Sequence, residues 1–552
     1  RLMSTVADTL AQKQRDISVA EFFERNRHLL GFDNKRKALL TVVKEAVDNS
    51  LDACEEARIL PEITVEIIDM GEERFKVIVE DNGPGIVKKQ IPNIFAKLLY
   101  GSKFHTMKQQ RGQQGIGISA AVLYAQLTTG RPARITSKTG KNEEAHYYEL
   151  RIDTQKNTPD IIKDDTITWN KEQGTKVEMD IEATYQKGDQ SVDSYLKQTA
   201  ITNPHATITY TTPKAEQFMY PRATDVLPRE AQEIKPHPYG VEHGILQKML
   251  RNTTTRTAQQ FLTAEFSRVS PIVAKEILEK AAIAPNAKPQ ELTHVDVERV
   301  MKSIRDTKIM APPSDCIVPI GEELLEKGLR KEVNAEFYTS LTRTPDVYRG
   351  IPFVVECALA YGGEQEKEAP ARLLRYANRV PLLYQQGSCA SFKSTVSLVN
   401  WKQYGLQQSK GSLPQAPLTI VVHLVSVWPP FTSEAKEAIA HYPEILKEMK
   451  LAIQEVARRL SIYIRRKQRV GAEGAKRSYI ETYLPHVANA LKNLLGMSKK
   501  EEDLITTELE TILEKKRGTL EEFGVDNEEY DETFALSKGK KTEEEHDEET
   551  TD

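Results

Sequence analysis

The sequence predicts a multidomain α/β protein, and three observations support that fold class. Helical and strand-like patterns alternate over about the first 230 residues. A strand-poor stretch with helical apolar spacing follows at about 239–305. A second mixed stretch begins near Asp315 and ends in a long helical pattern. A chain of 552 residues has room for about three or four domains of ordinary size.

The first region combines helices with several strands. Helical patterns dominate to about Ile59, and a Pro-rich passage at 227–238 interrupts the periodicity and marks a boundary. We therefore predict a first domain over residues 1–229. Its strands are expected at 63–69, 75–80, 133–137, 145–153 and 174–180.

The rest of the chain divides into four predicted segments. Apolar spacing predicts a helical domain at 230–308. The next domain, at 309–472, mixes strands with a long helix over about 433–467. Further helices near 478–495 and 501–516 are expected within 473–530, followed by a disordered acidic tail at 531–552. The strands of the mixed domain are expected at 353–359, 380–383 and 418–427.

Composition and cysteine usage predict a soluble cytoplasmic protein. Hydrophobic residues make up 39% of the chain and charged residues 28%, which is ordinary for a globular protein. The four cysteines are scattered, without a C-x-x-C pair or zinc-ligand spacing, which fits a reducing compartment. The longest apolar run, 418–427, is too short to cross a bilayer. The net charge of −4 neither requires nor excludes nucleic acid as a partner.

Three short motifs, in this order along the chain, predict a nucleotide site. Glu45 and Asn49 lie one turn apart on a predicted helix, so their side chains are neighbours. Asp81 follows a predicted strand and opens a tight Asp-Asn-Gly-Pro-Gly turn at 81–85. A glycine-rich segment at 110–119 precedes an apolar helix. The P-loop pattern G-x-x-x-x-G-K-[ST] does not occur in the sequence.

The residue types in these motifs fit chemistry on a magnesium-bound nucleotide. A carboxylate fixed at Glu45 can polarise a water for attack on a γ-phosphate, and the Asn49 amide oxygen can bind Mg²⁺. Asp81 can accept a hydrogen bond from an adenine amino group, while Gly83 and Gly85 let the backbone approach the base. The glycine-rich segment exposes N–H groups to phosphates, and the helix after it adds its positive end.

Each motif alone has an ordinary explanation. Glu45 and Asn49 alone are typical of a solvated helix face, and the turn at 81–85 alone is typical of a plain turn. A glycine-rich stretch by itself indicates little. All three together, on a helix, a strand end and a loop before a helix, favour the nucleotide site.

With these motifs the chain resembles the GHKL ATPases, which include gyrase-type topoisomerases, Hsp90, histidine kinases and MutL. The resemblance implies a Bergerat α/β sandwich that binds ATP and Mg²⁺. It implies Glu45 as the catalytic general base, Asn49 as the magnesium ligand and Asp81 as the adenine contact. The other ATP contacts that it implies are Gly83, Gly85, Ser102, Lys103, Arg111, Gly112, Gln113, Gln114, Gly115, Ile116, Gly117, Ile118 and Thr175.

Further stretches narrow the resemblance to the B subunits of type IIB DNA topoisomerases. In that family the helical region is a helix-two turns-helix domain, and the next domain is a transducer resembling ribosomal protein S5 domain 2. Lys436 is then the transducer lysine that reaches the γ-phosphate of ATP and takes part in catalysis. Without the resemblance, Lys436 is a surface lysine in the first turn of the long helix. The stretches that carry the resemblance are 17–23, 44–53, 235–240 and 431–438.

The resemblance implies the B subunit of an ATP-hydrolysing type II DNA topoisomerase. ATP binding would dimerise two copies through the first domain, with residues 4–32 exchanged as a strap, and would gate the passage of double-stranded DNA. A separate A subunit would make the double-strand break in an A2B2 heterotetramer, with the segment after 473 docked on it. The alternative is a MutL-like or Hsp90-like ATPase clamp, and the helical insert argues against the MutL-like clamp.

One loop carries the DNA-contact candidates Trp401, Lys402 and Tyr404. Two aromatic rings and a cation in a polar loop suit contact with a nucleic-acid backbone. The alternative is a loop aromatic buried against its own domain.

Overall fold

The protein is described by a computed structural model in two compact units. The first unit ends at Arg458 and the second begins at Arg459. Among the described residues, no helix is both long and apolar enough to cross a membrane. The residues that the structure describes are 14, 16–102, 106–112, 115–433 and 435–517.

A sheet of eight described strands forms the centre of the N-terminal part. The strands are β1 (Glu62–Asp69), β2 (Arg74–Glu80), β3 (Ala133–Lys138), β4 (Ala145–Asp153), β5 (Thr158–Ile167), β6 (Gly174–Glu182), β7 (Thr207–Thr211) and β8 (Gln217–Tyr220). They lie in the order β5-β4-β3-β6-β2-β1-β7-β8. β1 and β7 are parallel, and the other neighbours are antiparallel.

Helices pack with this sheet around one hydrophobic core. The described helices here are α1 (Val19–Arg25), α2 (Lys35–Glu56), α3 (Ile91–Ala96), α4 (Gly117–Thr129) and α5 (Val192–Thr202). α2 begins where the Lys37 N–H donates to the side chain of Asn34 at 2.8 Å, which satisfies one of the helix's unpaired donors. Residues 118–125 of α4 are all buried, as expected for a helix that is apolar on every side.

The strand-poor stretch is helical, as the sequence predicts. Among the described residues it contains α6 (His243–Asn252), α7 (Ala258–Glu265), α8 (Pro271–Lys280) and α9 (His294–Arg305). Ser270 caps α8, and Thr293 forms a capping box with Asp296 at the start of α9. The apolar faces of these helices bury a separate core that includes Phe261 and Ile277.

A second sheet follows in the first unit. Its described strands are β9 (Phe337–Thr342), β10 (Asp346–Tyr348), β11 (Ile351–Tyr361), β12 (Arg372–Ala377), β13 (Val380–Pro381) and β14 (Leu418–Ser426), and the helices α10 (Glu322–Glu332) and α11 (Ala390–Lys393) accompany them. The order is β10-β11-β14-β12-β13, and β9 also pairs with β11. All residues of β14 are buried, which explains the apolar run that predicted it.

The predicted long helix begins later and ends later than the sequence suggests. It was expected from about residue 433, but α12 runs from Pro443 to Leu495, and the boundary between the two units falls within it. A bridge between Phe431 and Ile439 holds the preceding residues in a loop instead. The helix also continues through the expected break after residue 467, and α13 (Lys499–Arg517) follows.

Three strands of the first sheet were missed by the sequence-based prediction. β5 is exposed along most of its length and pairs with β4 alone, so it lacks the apolar alternation that identifies a half-buried strand. β8 is a short strand at the other edge with little burial. β7 is buried at alternate positions but has only five residues, which is too short for a clear period.

Candidate functional site

A cavity of about 650 Å³ in the first unit brings together most of the predicted site residues. α2 supplies Glu45 and Asn49, and the turn after β2 supplies Asp81. The start of α4 and the loop before α12 form other parts of the wall. The further predicted residues that line it are Gly85, Ser102, Gly112, Gly115, Ile116, Gly117, Ile118, Thr175 and Lys436.

Asp81 is held in one orientation by three donors. Its Oδ2 accepts a hydrogen bond from the Ser50 hydroxyl at 2.8 Å. Its Oδ1 accepts from the Gly83 N–H at 2.9 Å and from the Thr175 N–H at 3.1 Å. Asp81 is 6% exposed, and burial raises its pKa although these hydrogen bonds oppose the rise. Asp81 therefore offers a buried, oriented acceptor, and Gly83 acts by orienting it rather than by lining the cavity.

Two glycines allow close approaches that a side chain would block. A Cβ atom on Gly117 would lie 1.7 Å from Oε2 of Glu45. A Cβ atom on Gly85, whose φ is +68°, would lie 2.1 Å from the carbonyl oxygen of Lys138. The first approach places the N-terminus of α4, with its positive partial charge, directly beside Glu45.

Positive charges surround the carboxylate of Glu45. Its Oε1 lies 3.1 Å from Nζ of Lys44, which is also 3.2 Å from the carboxylate of Asp48. Burial alone would raise the pKa of Glu45, but the charges of Lys44 and Lys436 outweigh burial, and the pKa is lowered. Glu45 is therefore ionised at neutral pH, which is the state that a general base requires.

Lys436 reaches the same cavity from the loop between β14 and α12. The expectation of a lysine in the first turn of the long helix is wrong, since α12 begins only at Pro443 and Lys436 has a φ of +53°. Its Nζ donates to the carbonyl oxygen of Arg111 at 3.2 Å. Burial lowers the pKa of Lys436, while the nearby charge of Glu45 opposes that shift.

The structure contradicts a nucleotide contact by the Arg111 side chain. Its guanidinium donates to Asp52 at 2.9 Å and to the two oxygens of Glu55 at 2.7 and 2.9 Å. The side chain is 4% exposed, and Arg111 does not line the nucleotide-sized cavity. A buried guanidinium requires such partners. Arg111 instead anchors the loop before α4 to α2.

Three of the predicted ATP contacts fall outside the described residues. These are Lys103, Gln113 and Gln114, and their contacts stay predictions. Sequence reasoning missed the roles of Lys44 and Ser50. The signal for Lys44 was its position next to Glu45, whereas Ser50 meets Asp81 across 31 positions of sequence, so only the fold brings them together.

Two family models match the chain. Residues 34–182 match the model described as histidine kinase-, DNA gyrase B- and HSP90-like ATPase. Residues 312–476 match the model described as topoisomerase VI B subunit, transducer. The B subunit of type 2 DNA topoisomerase 6 from Methanococcoides burtonii is 51% identical over 495 residues, which cover 90% of this chain and 79% of that protein. The chain belongs to the family of type 2 DNA topoisomerase 6 B subunits.

A second relative and a solved structure are also similar to this chain. The B subunit of type 2 DNA topoisomerase 6 from Archaeoglobus fulgidus is 48% identical over 517 residues, which cover 94% of this chain and 85% of that protein. The ATP-binding domain of topoisomerase IV from Francisella tularensis matches at 12% identity and a TM-score of 0.34, over 91% of this chain and 98% of that one. Membership of the B-subunit family confirms the predicted GHKL ATPase and transducer and decides against the MutL-like and Hsp90-like alternatives.

Buried polar contacts join the GHKL part of this protein to its transducer part. Nη1 of Arg379, which follows β12, lies 4.0 Å from Oε1 of Glu55 on α2. Within the transducer part, the Arg379 N–H donates to Nε2 of His423 at 2.8 Å, which holds the residue that approaches Glu55. The side-chain amide of Asn378 donates to the carbonyl oxygen of Gln110 at 3.0 Å. The loop before α4 is therefore held by both α2 and the transducer.

The DNA-contact candidates of the transducer differ in exposure. Trp401 is fully buried, and its Nε1–H donates to the carbonyl oxygen of Thr395 at 2.9 Å, so the structure contradicts a DNA contact by this side chain. Tyr404 is partly buried, with its ring centroid 6.5 Å from that of Trp401. Lys402 is exposed. The alternative of an aromatic buried against its own domain is the correct one for Trp401.

Proposed function

We propose that this protein holds ATP with Mg²⁺ in the cavity of its GHKL domain and hydrolyses it there. The observation that carries the proposal is the meeting of Glu45 and Lys436 in one cavity. The carboxylate comes from α2, and the ammonium comes from the transducer. A fixed carboxylate can orient the attacking water, and a cation can stabilise the charge on the phosphoryl group that is transferred.

The remaining wall of the cavity fits an adenine nucleotide and its magnesium ion. Asp81 accepts a hydrogen bond from the adenine amino group, and the N-terminus of α4 at Gly117 offers N–H groups to the phosphates. The Asn49 amide oxygen is the kind of ligand that Mg²⁺ accepts, and the ion supplies charge neutralisation on the phosphates. Space beside that oxygen is kept by Gly112, on which a Cβ atom would lie 3.4 Å from Oδ1 of Asn49.

Lys436 makes the transducer sensitive to the γ-phosphate. Burial disfavours its charge, so an anionic γ-phosphate beside Nζ stabilises the ammonium. Hydrolysis and loss of phosphate remove that partner. The loop that carries Lys436 is then released from the cavity. A bridge between Phe431 and Ile439 joins the two ends of this loop.

ATP binding and hydrolysis act on DNA by controlling how the subunits assemble. Two copies of this chain dimerise through the domain at 1–229 when ATP is bound, and an A subunit cuts double-stranded DNA in an A2B2 heterotetramer. The relatives are named as one of the subunits of a type 2 DNA topoisomerase, which supports a cutting partner. The helix-two turns-helix domain at 230–308 and the transducer at 309–472 connect the ATP gate to that partner.

Three further parts of the chain have roles in the proposed assembly: the segment at 473–530, residues 4–32 and the loop that carries Lys402. The segment at 473–530 docks on the A subunit, and residues 4–32 form the exchanged strap, of which 4–13 and 15 lie outside the described residues. Residues 518–530 of the docking segment and the tail at 531–552 also lie outside them. Lys402 is the exposed candidate for a DNA contact, and the complex works on DNA in the cytoplasm.

The test is relaxation of supercoiled DNA by this chain with candidate A subunits, ATP and Mg²⁺. We expect relaxation that requires all components and that is lost in Glu45→Gln. If no A subunit supports relaxation while the chain hydrolyses ATP normally, the topoisomerase proposal falls. If relaxation proceeds equally in Glu45→Gln, the assignment of Glu45 as the base falls instead.

A further inference from the structure

The helical domain carries a cluster of metal-ligand side chains that takes no part in the ATP chemistry. His243 begins α6, and His294 begins α9. Glu298 lies one turn after His294, on the same face of α9. One ligand atom from each of these three residues lies within 4.8 Å of the other two. Two imidazole nitrogens and a carboxylate oxygen therefore converge from two helices.

The hydrogen bonds of the described residues leave this histidine cluster (His243, His294 and Glu298) incomplete. Nε2 of His243 is buried and has no hydrogen-bond partner among them, which is a costly state for a polar nitrogen. The rings of His243 and His294 lie with their centroids 4.4 Å apart. Among the described ion pairs, Glu298 has His294 as its partner at 3.6 Å and no lysine or arginine.

We propose that His243, His294 and Glu298 bind a divalent transition-metal ion, with Zn²⁺ as the best match. Two imidazole nitrogens and one carboxylate form a ligand set that zinc accepts when one position stays open. Mg²⁺ prefers oxygen ligands, so the cluster discriminates against the ion that accompanies ATP. His243 and Glu298 also line a groove of about 750 Å³, so the open position is accessible to water.

Zinc binding requires side-chain movement alone. Ligand atoms that lie about 2.0–2.1 Å from a zinc ion are about 3.3 Å from one another in a tetrahedron. The ligand atoms of the cluster lie within 4.8 Å of one another, so they must move closer together. The side chains of His294 and Glu298 are each 62% exposed, so they can rotate toward His243 without disturbing the core. The positive ends of α6 and α9 oppose a cation, and the negative charge of Glu298 offsets that effect.

A bound ion would fasten the start of α6 to the start of α9. Because these two helices belong to one helical core, zinc should stabilise that domain against unfolding. The effect is independent of the nucleotide cavity, and it does not rest on the function proposed above.

The experiment uses the full chain without an affinity tag, in excess Mg²⁺, titrated with Zn²⁺ alone by calorimetry. We expect one Zn²⁺ per chain, with an affinity that falls by at least about tenfold in His294→Ala and in Glu298→Gln, since losing even an outer partner of a metal ligand costs about 10- to 100-fold. Co²⁺ should give the intense visible absorption of a four-coordinate site in the wild type only. Zn²⁺ should raise the thermal unfolding midpoint of the wild type more than that of either variant.

A matched control is His441→Ala, which removes a histidine outside the cluster and should keep the wild-type zinc affinity. Circular dichroism checks that the variants keep their helix content. Absence of stoichiometric zinc binding to the wild type overturns the proposal. Equal zinc affinity in the wild type and both cluster variants overturns it as well, because the zinc then binds elsewhere.

Discussion

The carboxylate of Glu45 occupies the space that a side chain on Gly117 would need, since a Cβ atom there would lie 1.7 Å from Oε2. Glu45 belongs to α2, and Gly117 is the first residue of α4. The glycine therefore lets a helix N-terminus and the proposed base lie against each other. This contact explains why a glycine is required at that position, independently of turn geometry.

We predict that Gly117→Ala lowers the kcat of ATP hydrolysis by about 100-fold, because a displacement of about 1 Å in a catalytic group has an effect of that size. The new methyl group must displace Glu45 or the start of α4. Steady-state hydrolysis and calorimetric nucleotide binding would measure the two effects separately. Gly244→Ala is the control, since a Cβ atom there meets nothing within 4 Å. An unchanged kcat in Gly117→Ala would show that Glu45 does not need its present position.

Trp401 and Lys402 are neighbours in sequence, but we expect their substitutions to affect different properties. Substitution of Trp401 should affect stability, and substitution of Lys402 should affect DNA binding. Trp401→Ala should lower the free energy of unfolding by about 3–5 kcal/mol, because it empties a buried aromatic position. Lys402→Ala should change it by no more than about 0.5 kcal/mol. In DNA binding, Lys402→Ala should reduce the salt dependence of affinity. Denaturant unfolding and DNA binding at several salt concentrations test both points, and a stable Trp401→Ala variant with weakened DNA binding would contradict them.

At the scale of elements, a buried ion cluster ties three segments together. Arg111 in the loop before α4 pairs with Asp52 and Glu55 of α2, and Arg379 approaches Glu55 from the transducer. Burial alone would raise the pKa of Glu55, but the charge of Arg111 outweighs it, and the pKa lies well below the ordinary value. The ionised carboxylate therefore stabilises the fold above the ordinary glutamate pKa, and this contribution is lost as the pH falls through the lowered pKa.

We predict that Arg111→Met costs about 3 kcal/mol of stability at neutral pH, because Asp52 and Glu55 lose the guanidinium that pairs with both of them. Glu55 keeps weaker support from Arg379 at 4.0 Å and from His205 at 2.7 Å. Loss of the charge and hydrogen bonds of Arg111 moves the pKa of Glu55 upward, although His205 and Arg379 still lower it. The variant should therefore be less destabilised in mild acid, where Glu55 takes up a proton more readily. Urea unfolding at neutral pH and near the ordinary glutamate pKa would measure the difference. Lys141→Met removes an exposed pair with Glu172 and should cost no more than about 1 kcal/mol. An equal loss at both pH values would contradict this account.

The elements that the sequence predicts best are those with a clear apolar pattern. β14 is buried along its whole length, and the helix of Glu45 and Asn49 was expected from its apolar face. The start of α12 was misplaced because the predicted helix ran through Pro443, although a proline suits the first turn of a helix and not its interior. A local bridge between Phe431 and Ile439 holds the preceding residues in a loop. β5 was missed for the opposite reason, since it is exposed and has no period to detect.

At the scale of the whole molecule, the cavity is built from parts far apart in sequence. Glu45 and Asn49 could be grouped from helical spacing, and Asp81 could be added because the three motifs occur together on a helix, a strand end and a loop before a helix. The opposite roles of Arg111 and Lys436 could not be assigned from local pattern. Arg111 points to α2 through contacts within the N-terminal part. Lys436 crosses from the transducer into the cavity, which depends on how the two sheets pack.

In the function that we propose, ATP between Glu45 and Lys436 brings two copies of this chain together, and Glu45 ends this state by hydrolysis. The most direct measurement is sedimentation velocity of Glu45→Gln with ATP and Mg²⁺, combined with its rate of ATP turnover. Glu143→Gln, at an exposed position, is the control and should behave as the wild type. We predict that Glu45→Gln forms a persistent ATP-dependent dimer and has lost turnover. Unchanged turnover in that variant, or no ATP-dependent dimer in either protein, would contradict the claim.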